Sequence, residues 1–530
     1  GAVEAALTSF DRAGDAYRVA GEIASSDASV LLGEAERWYR RMTAAISRGE
    51  DPAPFRDQSL AAAQRAAQTH ADPESSHRMQ AIVLQRYAEW QLSQGQSPME
   101  NLDRAIALAR RAVSGDPKSS GAHRALGNAL FTRARYAMTH GEDALPHFDA
   151  SIASLRQAAA LEPRNANALV SLANSIRRKA EVAGERGGDP TSLLNESIVY
   201  YDRAAAVDPD FANIFNDRGL AFMTRGEWEM ENGRDPAPSF DESAKSLQRA
   251  IAINPKFSVA MMNLGSVHLD RGNYAMRRGI DPRPAFDEAV AAYASALRLN
   301  SRLAFAHANT GLVNLLAAQY ALDSNEDPSA WVDRGIAAYA RALEINPEHA
   351  NSFAYGGALR TVQASWIARR GGDPSPSLDE ARGKIRRGMA IDPDSVDYLQ
   401  FAAAIEAEAA RDAIARRRSP APFLAAGEEL VRRGLAHNDA HADLLHTAAD
   451  LARLGGDDAR ALDLVTRSIA VDGEKSESHA LRGEILLVLG RFAEARAELD
   501  RAIELKPNAK WKWAAASEKA RSAMTVPTAR

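Results

Sequence analysis

His437, His441 and His446 are the nearest approach to a metal-ligand cluster in this 530-residue chain. A helix presents several ligands to one ion when they stand three or four residues apart on one face. His441 and His446 are five apart, so the set predicts no metal site. The absence of cysteine removes thiolate ligands and disulfides together, and it suits a reducing compartment such as the cytoplasm. Gly187-Gly188 and Gly371-Gly372 are glycine-rich, but neither stands in a Lys-Ser/Thr or Gly-x-Gly-x-x-Gly context that would cradle phosphate. No nucleophile elbow or kinase-loop signature occurs. The residues therefore predict no catalytic site, no cofactor and no enzyme.

Two other sets point to recognition. Trp90, Tyr136, Trp228, Tyr274, Tyr320 and Trp366 recur at multiples of 46 residues, with Val182 at the one non-aromatic place. Tyr and Trp are favoured contact anchors, so such a column would suit an extended peptide. Packing of each ring on its own proline loop is the other reading, because residues that recur in every unit normally serve the unit. Arg277-Arg278, Arg369-Arg370 and Arg416-Arg417-Arg418 offer a cationic edge, although helix C-termini favour cations without any ligand. With a formal net charge of −5 and little aromatic interleaving near these arginines, no nucleic-acid partner is expected. No run approaches the roughly 18 apolar residues of a membrane span, so no membrane partner is expected either.

The spacing of 46 belongs to the whole chain. Asp51-Pro52, Ser97-Pro98, Asp143-Ala144, Asp189-Pro190, Asp235-Pro236, Asp281-Pro282, Asp327-Pro328, Asp373-Pro374 and Ser419-Pro420 keep it without a slip. So does a second column, Pro117, Pro163, Pro209, Pro255, Ser301, Pro347, Pro393 and Asp439. Three further columns hold only Ala, Gly or Ser, and they run through Gly127, Ser151 and Ala158 of one unit. Helices approach closely only where side chains are small, so these columns mark helix–helix contacts. A fixed beat of this length is the signature of stacked units, each burying its apolar face on the next. The composition agrees, with 25% charged residues and abundant alanine.

The last units carry a family pattern. Gly483, Gly490, Phe492, Ala495, Leu499, Ala502 and Pro507, in "SHALRGEILLVLGRFAEARAELDRAIELKP", resemble the 34-residue tetratricopeptide repeat. Arg482 departs from it, at a place where the family usually has Leu. The resemblance implies an all-α solenoid, a superhelix of eleven helix-turn-helix repeats, nine of 46 residues and two of 34. On this reading residues 1–25 form a lead-in helix, 26–440 the elongated repeats, 441–507 the ordinary ones, and 508–530 a capping helix and tail.

The 12 extra residues of a long unit are expected to extend its first helix by about two turns, roughly 10 Å. Gly279 suits a C′ position with positive φ. Asp287 and its equivalents (Asp57, Asp103, Asp149, Asn195, Asp241, Asp333, Asp379) are expected to N-cap the second helix, with the preceding apolar residue as a staple. The alternative places the cap at Asp281 with Pro282 first in the helix.

The resemblance also implies that first helices line an inner face where peptides bind. Arg124, Asn128, Asn174, Asn216, Asp217, Asn263 and Asn309 fall on that face and are the candidate peptide-binding residues. Arg124 with Asn128 matches only part of the family's carboxylate clamp, since the matching lysine is missing. The expected function is a scaffold binding a protein or peptide. The "RGxDPxPxxD" insert looks like the repeat regions of some bacterial multidomain Ser/Thr protein kinases, which implies recruitment to a catalytic domain; the start at Gly1 suggests a fragment. A self-associating assembly protein is the rival.

Overall fold

The computed structural model describes residues 27–69 and 71–525, with Ala16 alone before them. The expected lead-in helix and the end of the tail lie outside the described residues. Among those described, the regular elements are 23 α-helices and one short 3-10 turn, Pro507–Ala509. Twenty-two of the helices pair as eleven successive hairpins, nine long and two short, and Lys510–Thr525 follows the last. The chain divides into two units, Gly1–Asn254 and Pro255–Arg530. The first holds five hairpins, from Ala28–Arg48 to Ala237–Ile253. The second holds six, from Ser258–Arg277 to Phe492–Leu505.

The small columns lie at the close contacts inside each hairpin. Ser59 Oγ donates to the Ala35 carbonyl at 2.7 Å, Ser151 Oγ to that of Gly127 at 2.8 Å, and Ser243 Oγ to that of Gly219 at 2.7 Å. A hydroxyl reaches a facing backbone carbonyl only when no larger side chain holds the helices apart. All six of these residues are fully buried or glycine.

A long hairpin such as Ser258–Arg277 with Arg283–Leu299 has helices of 20 and 17 residues, against 13 and 14 in Ser476–Val488 with Phe492–Leu505. The first helix gains about two turns, as expected, and Gly279 adopts φ +67° after it. The start of the second helix differs from the preferred expectation. It begins directly after Asp281-Pro282, where the Asp281 carboxylate accepts the Arg283 N–H at 3.0 Å. The same bond recurs at Asp51, Asp189, Asp327 and Asp373. Asp287 therefore lies inside the helix rather than at its cap. The Asp-Pro pair offers an acceptor and a preset φ a full turn earlier, and the helix takes the first start available. The supposed staples are core residues: Leu102, Phe148, Leu194, Phe240, Phe286 and Val332 are 0% exposed. They fill the space between the lengthened helices, and Phe240 and Phe286 face Gly226 and Gly272.

Candidate interaction surfaces on the helix faces and tips

The candidate inner-face residues divide into two groups. Asn174, on Ala166–Glu185, donates to Asp217 at 3.2 Å and accepts from the buried Tyr201 hydroxyl at 2.5 Å. Asn216 donates to the other Asp217 oxygen at 2.9 Å. These three form one internal network that ties neighbouring hairpins of the first unit. Asn309 reaches Ser266 Oγ at 3.5 Å, and Ser266 meets the Tyr293 hydroxyl at 3.1 Å. Asn263 is 9% exposed, so it too is buried. Arg124 and Asn128 behave differently. Both are half-buried on Ser120–Thr139, and among the described residues neither side chain has a hydrogen-bond partner.

At the tips, none of the six aromatic residues is exposed. Trp90 packs against Tyr87 with ring centroids 5.1 Å apart, and Tyr136 stacks on His140 at 3.9 Å. Arginines cover others: Arg234 over Trp228 at 4.5 Å, Arg283 over Tyr320 at 5.3 Å, Arg370 over Trp366 at 4.6 Å. Tyr274 is half-buried. Tyr87 and His140 stand about one turn from the rings they meet, Arg234 and Arg370 follow their rings in the same tips, and Arg283 comes from the preceding hairpin. The histidines also work singly. His441 accepts from the Leu444 N–H and lies 3.1 Å from Asp397. His446 is packed beside Ser478, and burial pushes its pKa down to about 4.

Sequence reasoning missed two features. The first is a cavity of about 530 Å³ in the first unit, walled by Leu220, Met223 and Trp228, by Glu181, Glu185, Glu227 and Glu231, and by Arg177 and Arg178, which pair with Glu181. Glu227 has no cationic partner among the described residues. Burial, then the Glu231 and Glu181 charges, push its pKa up to about 7. Between the ordinary carboxyl range and that value, the unfolded chain ionises before the folded one does. The group therefore removes stability as pH rises through this window, and the loss is complete above it. Glu227→Gln is expected to stabilise the first unit by about 1–2 kcal/mol near pH 8, after allowance for residual solvent, and not at all near pH 4. Thermal melts of both proteins across that range test this; a difference independent of pH would disprove the assignment.

The second is a contact across the second unit. The Asp323 carboxylate accepts from Lys506 Nζ at 2.8 Å and Lys512 Nζ at 2.5 Å, and its carbonyl accepts from Trp511 Nε1 at 2.6 Å. Asn508 donates to Ser324 Oγ at 3.0 Å, and Arg369 lies 4.7 Å over the Trp511 ring. Burial alone would depress the Lys506 pKa, but Glu477 and Asp323 hold it above its usual value. Pro507 sits so near Gly279 that a Cβ there would lie 2.4 Å from its Cδ. The one hint in the sequence was a reversal of charge, since Arg277, Asp323 and Arg369 share a column.

Among the described residues no helix is long and apolar enough to cross a membrane. Residues 476–509 match the tetratricopeptide repeat family model. No curated protein matches the chain. Among solved structures, yeast Tom70 is similar at 12% identity, over 96% of this chain and 98% of that one, with a TM-score of 0.41. A human IFIT1 dimer with PPP-AAAA is 14% identical over 89% of this chain and 87% of its own, with a TM-score of 0.43. A tetratricopeptide repeat protein from Parabacteroides merdae is 15% identical over 58% of this chain and 99% of that one, with a TM-score of 0.38. The chain is thus a succession of helical hairpins whose last, with the turn that follows it, carries a tetratricopeptide repeat at residues 476–509.

Proposed function

We propose that this chain is an interaction scaffold that holds a peptide or partner domain against the inner faces of its hairpins and performs no chemistry itself. The observation that carries the reading is the pair Arg124 and Asn128, polar groups half-buried on one helix face with no hydrogen-bond partner among the described residues, the Arg124 Nε fully enclosed. Neighbouring candidates such as Asn174 and Asn216 are held in internal networks, so the unfilled pair stands out as ligand-directed. The insert pattern supports a cytoplasmic bacterial setting in which the scaffold recruits substrates or regulators for a kinase domain.

The test is capture of partners on the immobilised chain, followed by cross-linking to locate the contact. Cross-links from a partner to the face carrying Asn128 support the scaffold reading. Recovery of the chain's own copies alone, with mass rising with concentration, would replace it with self-assembly.

A further inference from the structure

We infer that the inner face of Ser120–Thr139 binds an extended acidic segment of a partner protein; this rests on the scaffold reading and specifies its ligand. Arg124 and Arg135 are eleven residues apart on that helix, within about 20° of three full turns, so they share one stripe and stand roughly 16 Å apart. Asn128 lies on the same stripe between them.

Neither arginine has an ion pair or a hydrogen bond among the described residues, and Arg124 Nε is buried without an acceptor. Five nearby arginines have carboxylate partners: Arg78 with Glu74, Arg86 with Glu89, Arg133 with Glu142, and Arg177 and Arg178 with Glu181. Burial lowers the pKa of both Arg124 and Arg135, and Arg78 and Arg178 respectively lower them further. Tyr39 and Glu162 relieve Arg124 in part, and Glu89 relieves Arg135 by more than Arg178 opposes it, but none of them bonds to either arginine. A desolvated cation beside a like charge is unfavourable in the free protein. It becomes favourable when a ligand brings the carboxylate.

The space for that carboxylate exists. Arg135 opens into a cavity of about 380 Å³ with Arg178, Met138, Thr139 and Leu92 in its walls. An extended chain advances roughly 3.3 Å per residue, so acidic side chains four to six residues apart would meet both arginines. The Asn128 amide, between them, can donate to and accept from the ligand backbone. The surface fits a peptide better than a nucleic acid. Two cationic sites roughly 16 Å apart, with Glu89 near Arg135 and Glu181 bonded to Arg178, do not make the continuous positive track that a phosphate backbone requires.

The experiment is fluorescence anisotropy on the full chain with a labelled peptide of about ten residues carrying two glutamates five apart, the spacing taken from the strand rise above. A glutamine version, a lysine version and a labelled single-stranded oligonucleotide serve as competitors. The glutamate peptide is expected to bind at least about tenfold more tightly than the glutamine one. Arg124→Gln and Arg135→Gln are each expected to weaken it about tenfold, Asn128→Ala by less, and added salt to weaken it in wild type more than in the double variant. Because the variants remove an unmatched buried charge, their melting temperatures should equal or exceed that of the wild type. Equal binding of glutamate and glutamine peptides, tighter binding of the oligonucleotide, or a lower melting temperature in both arginine variants would overturn the inference. If a captured partner cross-links to this face and its capture survives the double arginine variant, the acidic-ligand inference fails while the scaffold reading stands.

Discussion

Replacing Asp323 by alanine is expected to detach residues 506–512 from the tip of Ala304–Asp323 while leaving the hairpins folded. Asp323 is 9% exposed and serves two lysines through its side chain. Among the described residues its removal leaves Lys512 without a carboxylate partner and Lys506 with Glu477 alone. Breaking a buried ion pair from one side costs about 3–5 kcal/mol at most, and the exposure of Lys512 puts this case at the lower end. The loss falls on one contact between residues far apart in the chain, not on the nearest-neighbour packing that holds a stack together. Hydrogen exchange should therefore speed up about a hundredfold in residues 506–512 and around Asp323, with the helices of the first unit unaffected. Asp323→Asn should do less, since an amide still accepts one bond. Unchanged exchange at Trp511 in the alanine variant would show that the ionic network contributes nothing to docking.

Gly272→Ala is expected to destabilise the second unit although it lies in a helix, where alanine is ordinarily better than glycine by about 1 kcal/mol. A Cβ at this position would stand 2.3 Å from Phe286 Cε1 and 2.4 Å from its Cδ1. The ring is 0% exposed and cannot step aside without moving its own helix. Overpacking of this kind costs about 1–3 kcal/mol, and so tight a contact with a fixed ring puts the case at the top of the range, so the clash outweighs the propensity. Phe286→Ala alone should cost about 3–5 kcal/mol through the cavity it opens. The decisive measurement is a double-mutant cycle in denaturant. Gly272→Ala combined with Phe286→Leu should recover at least about 1 kcal/mol relative to the sum of the single effects. Additive effects would mean that the two residues do not compete for space. Gly226 and Phe240 repeat the arrangement in the first unit and should give the same sign.

The phenylalanine was visible as the apolar residue before Asp287, but its partnership with Gly272 was not. Phe286 was expected to brace a helix start, because the ordinary repeat register puts a cap at Asp287. The Asp281 carboxylate and Pro282 start the helix earlier, and this turns a boundary residue into a core one. The candidate site was legible to a similar degree. Residue type and register put Arg124, Asn128, Asn174 and Asn216 on one family of faces. Whether each amide is free or bonded depends on the residue that the neighbouring hairpin presents, and Tyr201 and Asp217 decide that for Asn174.

What the sequence determined by itself belongs to what repeats: helical class, unit length, the close contacts at small residues and the left-handed turn at Gly279. Each unit buries the same face on the same kind of neighbour, so the same constraint is written again every 46 residues. Tertiary structure alone decided what happens once. The Asp323 contact joins residues far apart in the chain, and the unmatched charges of Arg124 and Arg135 are defined by what fails to face them. A single contact leaves no period, and a missing partner leaves no residue, so neither can be read until the helices are packed.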